Sequence, residues 1–376
     1  MRKLIFGLLA SLSIVSMLAC SESSPEKMAP PEEFESVKLL DTGMKVQFNP
    51  RVDILFVIDH SMSMDDDQAR LSRNIDRFVA AFAENEVLDF HIGITSVYDT
   101  KRFGVLNAYD EANNRYPNGQ LRPLKDPGNA GSFLVNRAPF LKREPGYLDI
   151  LRDSLKLGVQ PLAEGGPEHE ESLSPIVAAF SEPMLSGPNA GFYRGDAHLA
   201  VILITDANDL SPTLTPEQVA DFMRELKKDE AKKQGKEMYS TFGVIAPTNE
   251  PTCKKDPSGD PTAVEQFLYE TRGKILSLCD TNYGDRLAEF GIDITRKALK
   301  KIIDLKHRPE HGTLKVMYGS QEIPQDDEIG WTYNPETVSV IINGGIDLEV
   351  EEGAEISITY TPVDLTNLRN GRAQKL

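Results

Sequence analysis

The chain has 376 residues, of which 40% are hydrophobic and 26% are charged, the composition of an ordinary globular protein. This length accommodates one large α/β domain with a small appendage, or two medium domains. The formal net charge of −17 argues against a nucleic-acid binder and against a basic surface for anionic lipids. It favours instead the binding of cations, or of basic patches on a partner.

The N-terminal residues resemble the export signal of a bacterial lipoprotein. Two basic residues precede an uncharged apolar stretch, 4–18, which is short for a membrane span and has the length of a signal-peptide core. The stretch ends in Ala19-Cys20, as in a lipobox, where a small residue precedes the cysteine that receives the lipid. We therefore expect a signal peptide over 1–19 and lipidation of Cys20. The alternatives are an ordinary signal peptide in which this cysteine is incidental, or an uncleaved anchor.

Residues 20–48 are predicted to form a flexible linker. The segment from 21 to about 45 is rich in Ser, Glu and Pro, so it buries little and tethers a domain to a lipid anchor. Ser21 stands where many Gram-negative lipoproteins carry a retention aspartate, and the outer membrane is therefore the expected destination. The expected location is the cell envelope, on its periplasmic or surface face.

From residue 49 to residue 306, predicted strands and helices alternate. The nearly continuous apolar run at 52–58 indicates a strand that is buried on both faces of a parallel sheet. The residues predicted to form one face of the next helix are Leu71, Ile75, Phe78, Val79 and Phe82. Further strands are predicted at 88–97, 199–205 and 239–246, and helices near 149–157, 170–181, 216–229, 262–277 and 285–304. This alternation predicts an α/β fold with a doubly wound, Rossmann-like, mostly parallel sheet flanked by helices.

Two regions depart from the alternation. Residues 100–147 are rich in Gly, Pro and Asn, and we predict an insertion there that projects near the top of the sheet. Residues 312–361 contain short alternating runs separated by turn residues such as Asn343-Gly344-Gly345. A small antiparallel β module, too short for a full sandwich, is therefore predicted over 307–376.

One carboxylate and two hydroxyls follow the first buried strand, in Asp59-His60-Ser61-Met62-Ser63-Met64. Ligand sites in open α/β sheets lie at the carboxyl ends of strands. The spacing places Asp59, Ser61 and Ser63 on one side of a tight loop, and their hard oxygens suit Mg²⁺ first, with Mn²⁺ or Ca²⁺ as alternatives. The competing explanation is that these side chains only cap the next helix. The acidic run 65–67 is predicted to be a solvated helix start.

A second carboxylate ends another predicted strand. Asp206 follows the apolar run at 199–205, and a neighbouring strand of the sheet would bring it close to the two serines. Asn208 and Asp209 come next, and they either stabilise the turn or join the site.

The segments 56–64 and 202–206 resemble the metal-ion-dependent adhesion site of the von Willebrand factor type A (vWA) family, and the resemblance extends over about residues 50–305. It implies that the two serines ligate the ion directly and that the two aspartates act through bound water. A Glu or Asp of a protein partner often completes the shell in this family. The resemblance gives no ligand role to His60 or His169, which are expected to be exposed or to lie behind the ligands.

The family's threonine ligand has no equivalent here. It comes after glycines and before a helix, and in the segment 165–173 the nearest residue is Pro167. Glu170, or in second place Glu168, is expected to supply an oxygen instead. A carboxylate raises the affinity for the metal but lowers the net positive charge of the ion, so a partner's acidic side chain is attracted less strongly.

The two remaining cysteines, Cys253 and Cys279, are predicted to form a disulfide, as an oxidising compartment favours. The alternative is a pair of free buried thiols. No zinc site is predicted, because no CxxC or HxxH spacing accompanies them.

The leading functional hypothesis is a non-catalytic module that binds a protein partner through its metal-bearing face, in adhesion or envelope assembly. The alternatives are an envelope scaffold whose ion only stabilises the fold and, in third place, a metal-dependent hydrolase. A phosphatase-type enzyme needs a second acid two residues after Asp59, where Ser61 stands. No catalytic residue and no nucleic-acid partner are predicted. The insertion at 100–147 is the candidate for partner specificity.

Overall fold

The computed structural model describes residues 43–83 and 85–363. The predicted signal peptide, the lipidation site Cys20 and most of the predicted linker lie outside these residues. Within the described ranges, no helix combines the length and the apolar character needed to cross a bilayer.

The strands are β1 (Met44–Gln47), β2 (Arg51–Ile58), β3 (Asp89–Ser96), β4 (Phe140–Leu141), β5 (His198–Thr205), β6 (Tyr239–Ile245), β7 (Lys274–Ser277), β8 (Lys301–Asp304), β9 (Lys315–Tyr318), β10 (Gln321–Ile323), β11 (Trp331–Asn334), β12 (Ser339–Ile342) and β13 (Glu355–Thr359). The helices are α1 (Asp65–Ala83), α2 (Thr100–Phe103), α3 (Tyr147–Ser154), α4 (Ser174–Ala179), α5 (Pro216–Gln234), α6 (Thr262–Glu270) and α7 (Tyr283–Leu299).

Six strands form a mostly parallel sheet in the order β4-β3-β2-β5-β6-β7, with the two-residue edge strand β4 antiparallel to β3. Alternate side chains of β2 enter two separate apolar layers. Ile54 and Phe56 pack in the layer that contains α1 and α7, whereas Leu55 and Val57 pack in the layer that contains α5 and α6. A sheet with helices on both faces explains why β2 is apolar throughout. The predicted α/β class with a mostly parallel sheet is confirmed.

The apolar face predicted for α1 is buried as far as the side chains are described. Its four described members have no exposed surface: Leu71, Ile75, Phe78 and Val79. The side chain of Phe82 lies outside the described ones. This face packs in one layer with Leu287 and Phe290 of α7, so the two helices cover the same side of the sheet.

Two predicted helices are too long. The helix predicted over 262–277 ends at Glu270, Arg272 adopts a positive φ of 52°, and the chain then forms the edge strand β7. The helix predicted over 285–304 ends at Leu299 and is followed by β8. Short apolar runs are compatible with either a strand or a buried helix, so periodicity alone did not separate them.

The C-terminal β module is larger than predicted. An antiparallel sheet in the order β1-β13-β9-β10 and a second one in the order β11-β12-β8 contribute to one apolar cluster, so the module is a small two-sheet sandwich. Strand β1 lies at the end of the predicted linker, yet Met44 pairs with Ile358 of β13. The α/β unit is therefore inserted between β1 and β8. Local sequence patterns do not indicate such a pairing, because its partners are far apart in the chain.

Candidate metal site

The candidate site lies where the strand order of the sheet reverses direction. Strands β2 and β5 are neighbours there, and their outgoing connections lead to opposite sides, which opens a crevice at their carboxyl ends. Asp59 follows β2 directly and Asp206 follows β5 directly. The backbone N–H of Asp59 donates to the carbonyl of Ile204 at 2.9 Å, so the two strand ends are held together.

Three of the predicted site residues form one chain of hydrogen bonds. The hydroxyl oxygens of Ser61 and Ser63 lie 3.0 Å apart, and the Ser63 hydroxyl donates to Oδ1 of Asp206 at 2.8 Å. The side chain of Ser61 makes no capping hydrogen bond to the 3-10 turn that it precedes, Met62–Met64. Capping therefore does not account for this serine, and its hydroxyl faces the aspartate of the neighbouring strand through Ser63.

The side chain of Asp59 stabilises the loop that carries Ser61 and Ser63. Its side chain is fully buried, Oδ1 accepts the backbone N–H of Ser61 at 2.8 Å, and Oδ2 accepts the hydroxyl of Thr205 at 2.8 Å. The side-chain amide of Gln68 donates to the Asp59 carbonyl at 2.7 Å. Burial raises the pKa of this aspartate, although the hydrogen bonds from Ser61 and Thr205 oppose the shift.

Two of these supporting residues were not predicted. Thr205 precedes Asp206 at the end of β5, and Gln68 is a buried polar residue of α1. Thr205 could have been predicted as a supporting residue, because it is a polar residue at the end of an otherwise apolar strand. Nothing in the sequence around Gln68 indicates that its side chain supports the loop.

The loop that carries Glu170 is fixed on both sides. The buried Asp99 accepts the backbone N–H groups of Glu168 and His169 at 2.9 and 3.0 Å. Asp209 accepts the backbone N–H groups of Ser172 and Leu173 at 2.7 and 2.9 Å. The helix predicted from residue 170 begins at Ser174, so the loop extends up to that residue. Asp209 thus holds this loop, and its carboxylate is occupied by backbone donors.

Glu170, rather than Glu168, is the buried carboxylate of this loop. Its side chain is 3% exposed, and its Oε2 atom has no hydrogen-bond partner. Burial and, in second place, the negative charge of Asp59 raise the pKa of Glu170 to about 8. Glu168 is exposed and lies 3.8 Å from the guanidinium of Arg102. Of the two glutamates predicted as candidates, Glu170 is therefore the one whose carboxylate is buried in this loop.

A fourth carboxylate, Asp256, comes from a loop that sequence reasoning did not consider. Its backbone N–H donates to the Asp206 carbonyl at 3.1 Å, and its charge raises the pKa of both Asp206 and Glu170. For Asp206, burial and then the charge of Asp59 raise the pKa to about 7. None of these four carboxylates forms an ion pair with a basic side chain of the described residues.

The predicted disulfide is present and joins Cys253 to Cys279, with their Cα atoms 5.6 Å apart. Cys253 is buried and lies three residues before Asp256, in the loop between β6 and α6. The bridge ties this loop to the segment that follows β7. It thereby limits the movement of Asp256 relative to the strand ends.

Acidic side chains alone do not define a metal centre here. Residues 43–83 and 85–363 contain no group of three or more His, Cys, Asp and Glu side chains arranged to hold a metal ion. A cation at this place would therefore depend on the hydroxyls of Ser61 and Ser63 together with the carboxylates.

The structure also shows how exposed the two histidines and the acidic start of α1 are. His60 is buried rather than exposed, whereas His169 is half-buried and its Nε2 lies 3.0 Å from the Lys101 ammonium nitrogen. Asp65 and Asp66 are exposed in the first turn of α1, as expected for a solvated helix start, whereas Asp67 is half-buried and burial raises its pKa.

The sequence matches no protein-family model and no curated protein. Among solved structures, it is similar to proximal thread matrix protein 1 of the mussel byssus, with 15% identity, a TM-score of 0.37, and coverage of 69% of this chain and 51% of that chain. It is also similar to the pilus adhesin SpaC of Lactobacillus rhamnosus GG, with 12% identity, a TM-score of 0.36, and coverage of 84% and 39%.

A third solved structure, the human COPII-coat protein Sec24c, has 13% identity, a TM-score of 0.32, and coverage of 84% of this chain and 44% of that chain. The chain thus spans about half the length of these proteins or less. At such TM-scores the similarities carry no argument about function.

Proposed function

We propose that this protein is an exported lipoprotein whose α/β unit is a vWA-type domain that binds a divalent cation and, through that face, a protein partner. The observation that carries the proposal is the hydrogen-bonded row of Ser61, Ser63 and Asp206 beside the unpartnered buried oxygen of Glu170.

The chemistry of the row suits a small hard cation. Two neutral hydroxyls and one carboxylate are joined in one row of hydrogen bonds, and Glu170 would supply a further oxygen. Such oxygens are the ligand type of Mg²⁺, with Mn²⁺ and Ca²⁺ as alternatives. Four carboxylates without a basic partner repel one another, and a bound dication offsets that repulsion. Asp59 would hold the loop while the serines contact the ion.

The surface beside the site supports a protein partner. Met62, between the two serines, is 54% exposed, and Leu210, after the second strand end, is 38% exposed. Methionine is enriched at protein interfaces, and apolar side chains around a polar centre suit docking better than small-molecule chemistry. Because Glu170 adds negative charge next to the ion, we expect a partner's acidic side chain to contribute less than it would at a site with a threonine.

The burial of Asp59 argues against a hydrolase. Both of its carboxylate oxygens accept hydrogen bonds from the protein, so it is not free to attack a substrate. The stronger alternative is a scaffold whose ion only stabilises the loops. The internal carboxylate of Glu170 favours that alternative, because it could complete the shell without a partner.

The envelope location is supported by the disulfide, since such bonds persist in oxidising compartments. Labelling of cells with a lipid analogue tests the anchor. We expect label on the wild type and none on Cys20→Ser.

Calorimetric titration of the purified protein with Mg²⁺, Mn²⁺ and Ca²⁺ tests the site. We expect binding by the wild type and by the control Asp65→Asn/Asp66→Asn, whose acidic side chains are exposed, and loss of binding in Ser61→Ala/Ser63→Ala. Absence of binding heat in the wild type for all three ions would refute the site. If the site binds metal and the serine variant retains its envelope partners in pull-down experiments, the scaffold alternative replaces the docking proposal.

A further inference from the structure

A cavity of about 320 Å³ lies beside the candidate metal site, between the insertion and the segment 154–164. Its lining includes His60, Tyr116, Arg122, Phe133 and Leu157. This volume is at the lower end of the range for small-molecule sites, and apolar and polar groups share the wall. His60 directly follows Asp59, so the cavity adjoins the strand-end loop without using its hydroxyls or carboxylates.

Arg122 forms no ion pair with any residue that the structure describes. Its guanidinium lies over the ring of Tyr116, with 4.0 Å between Cζ and the ring centroid, and Nη2 donates to the Ser96 hydroxyl at 2.7 Å. Its buried Nε has no hydrogen-bond partner, and no carboxylate of the described residues pairs with this arginine. Arg122 is half-buried, and a guanidinium that is partly removed from water without a counter-charge is costly; an anionic ligand would offset that cost.

His60, which also lines the cavity, supports the same conclusion. Its side chain is 6% exposed, and its Nδ1 is buried with no hydrogen-bond partner. Buried polar atoms of folded proteins are nearly always satisfied by protein, by ordered water or by a ligand in contact with them. His60 and Arg122, which both line the cavity, thus each carry a buried nitrogen without a hydrogen-bond partner among the described residues.

We propose that this cavity binds a small organic acid, whose carboxylate is held by Arg122 and His60 and whose apolar part contacts Tyr116, Phe133 and Leu157. A planar carboxylate matches the geometry of a guanidinium edge. Glu111 and Glu164 also belong to the lining and disfavour a phosphate dianion more than a carboxylate monoanion. The proposal is independent of the cation site.

The test uses benzoate as the probe, titrated into the purified protein in EDTA and again in Mg²⁺, with benzamide as its uncharged counterpart. We expect benzoate to bind under both conditions and benzamide to bind at least about tenfold more weakly. Arg122→Met should weaken benzoate binding by a similar factor. Ala112→Trp should block the cavity, because Ala112 is exposed and lies in its lining. The matched control is Ala130→Trp, at an exposed residue of the same insertion outside the lining, and it should bind like the wild type.

The Ala112→Trp variant keeps the test decisive if Arg122→Met fails to fold. Absence of benzoate binding in the wild type, or equal binding by the Ala112→Trp and Ala130→Trp variants, would overturn the proposal. Equal affinity for benzamide would overturn the role of the charge. Tighter binding of phosphate, or of a tripeptide with a free terminal carboxylate, would overturn the assignment to a small organic acid.

Discussion

The hydroxyl of Ser63 donates a hydrogen bond of 2.8 Å to the carboxylate of Asp206, although the two residues lie on different strand ends and 143 positions apart. This contact exists because β2 and β5 are parallel neighbours in the sheet. It brings a hydroxyl-bearing loop and a strand-end carboxylate into one crevice. The consequences of that arrangement for cation binding and for stability can be measured.

Replacing Glu170 by glutamine tests whether its carboxylate contributes to the site. The change keeps the size of the side chain and removes its charge, so we expect Mg²⁺ affinity to fall at least about tenfold. The same change removes repulsion among buried carboxylates, and the cation-free protein should gain about 1 kcal/mol of unfolding free energy near pH 8. Calorimetric titration and urea denaturation measure the two effects. The control is Glu168→Gln, an exposed side chain of the same loop; a larger loss of affinity there than in Glu170→Gln would reverse the assignment.

The stability of the cation-free protein should decrease as the pH rises. The pKa values of Asp206 and Glu170 are raised to about 7 and about 8, above their ordinary values of 3.8 and 4.5. The folded protein therefore holds protons that the unfolded chain has already released, and this contribution is lost as the pH rises through the two raised values. In EDTA, the melting temperature should fall by roughly 5 °C between about pH 6 and about pH 8, and Mg²⁺ should reduce that fall.

The lysines Lys227 and Lys236 have an opposite effect on stability, but at higher pH. Burial lowers the pKa of each from 10.5 to about 8, so their contribution to stability grows mainly as the pH rises above about 8. Comparing the wild type with Asp206→Asn/Glu170→Gln isolates the contribution of the two carboxylates to the pH dependence, because both lysines remain in the variant. If the melting temperatures of the wild type and the variant change in parallel with pH, the prediction is wrong.

Replacing Asp99 by alanine should loosen the loop of Glu170 without removing a metal ligand. The backbone N–H groups of Glu168 and His169 would lose their acceptor, and the unfolding free energy should fall by about 1 to 3 kcal/mol. Mg²⁺ affinity should fall by less than in Ser61→Ala/Ser63→Ala. A loss as large as in the serine variant would show that Asp99 itself contacts the ion.

Removing the disulfide should lower both stability and cation affinity. The bridge joins residues that are 26 positions apart, and opening a loop of that length costs about 3 kcal/mol of unfolding free energy. The loop of Asp256 also becomes freer to move, so Cys253→Ser/Cys279→Ser should bind Mg²⁺ more weakly. Denaturation and titration of this variant, with Cys20→Ser as the control, measure the effects. Unchanged stability would mean that packing alone holds the loop.

Local patterns were sufficient for the central strands of the parallel sheet and for half of the site. The apolar runs of β2 and β5 are buried on both faces, and this burial leaves a clear signal in the sequence. Asp59, Ser61 and Ser63 follow one of these strands within five positions, so a single local turn brings them together. The edge strand β7 was not predicted, since its short run lacks the length that separates strand from helix.

The sequence by itself determined the α/β class and the position of the hydroxyl-bearing loop, because strand burial and turn chemistry depend on neighbouring residues. Only the tertiary structure decided that Glu170 rather than Glu168 is the buried carboxylate, and that Asp256 joins it. It also decided that β1 pairs with β13 and that Arg122 forms no ion pair within residues 43–83 and 85–363. These properties depend on which distant segments pack together and on what water can reach, and no local pattern of side chains encodes either.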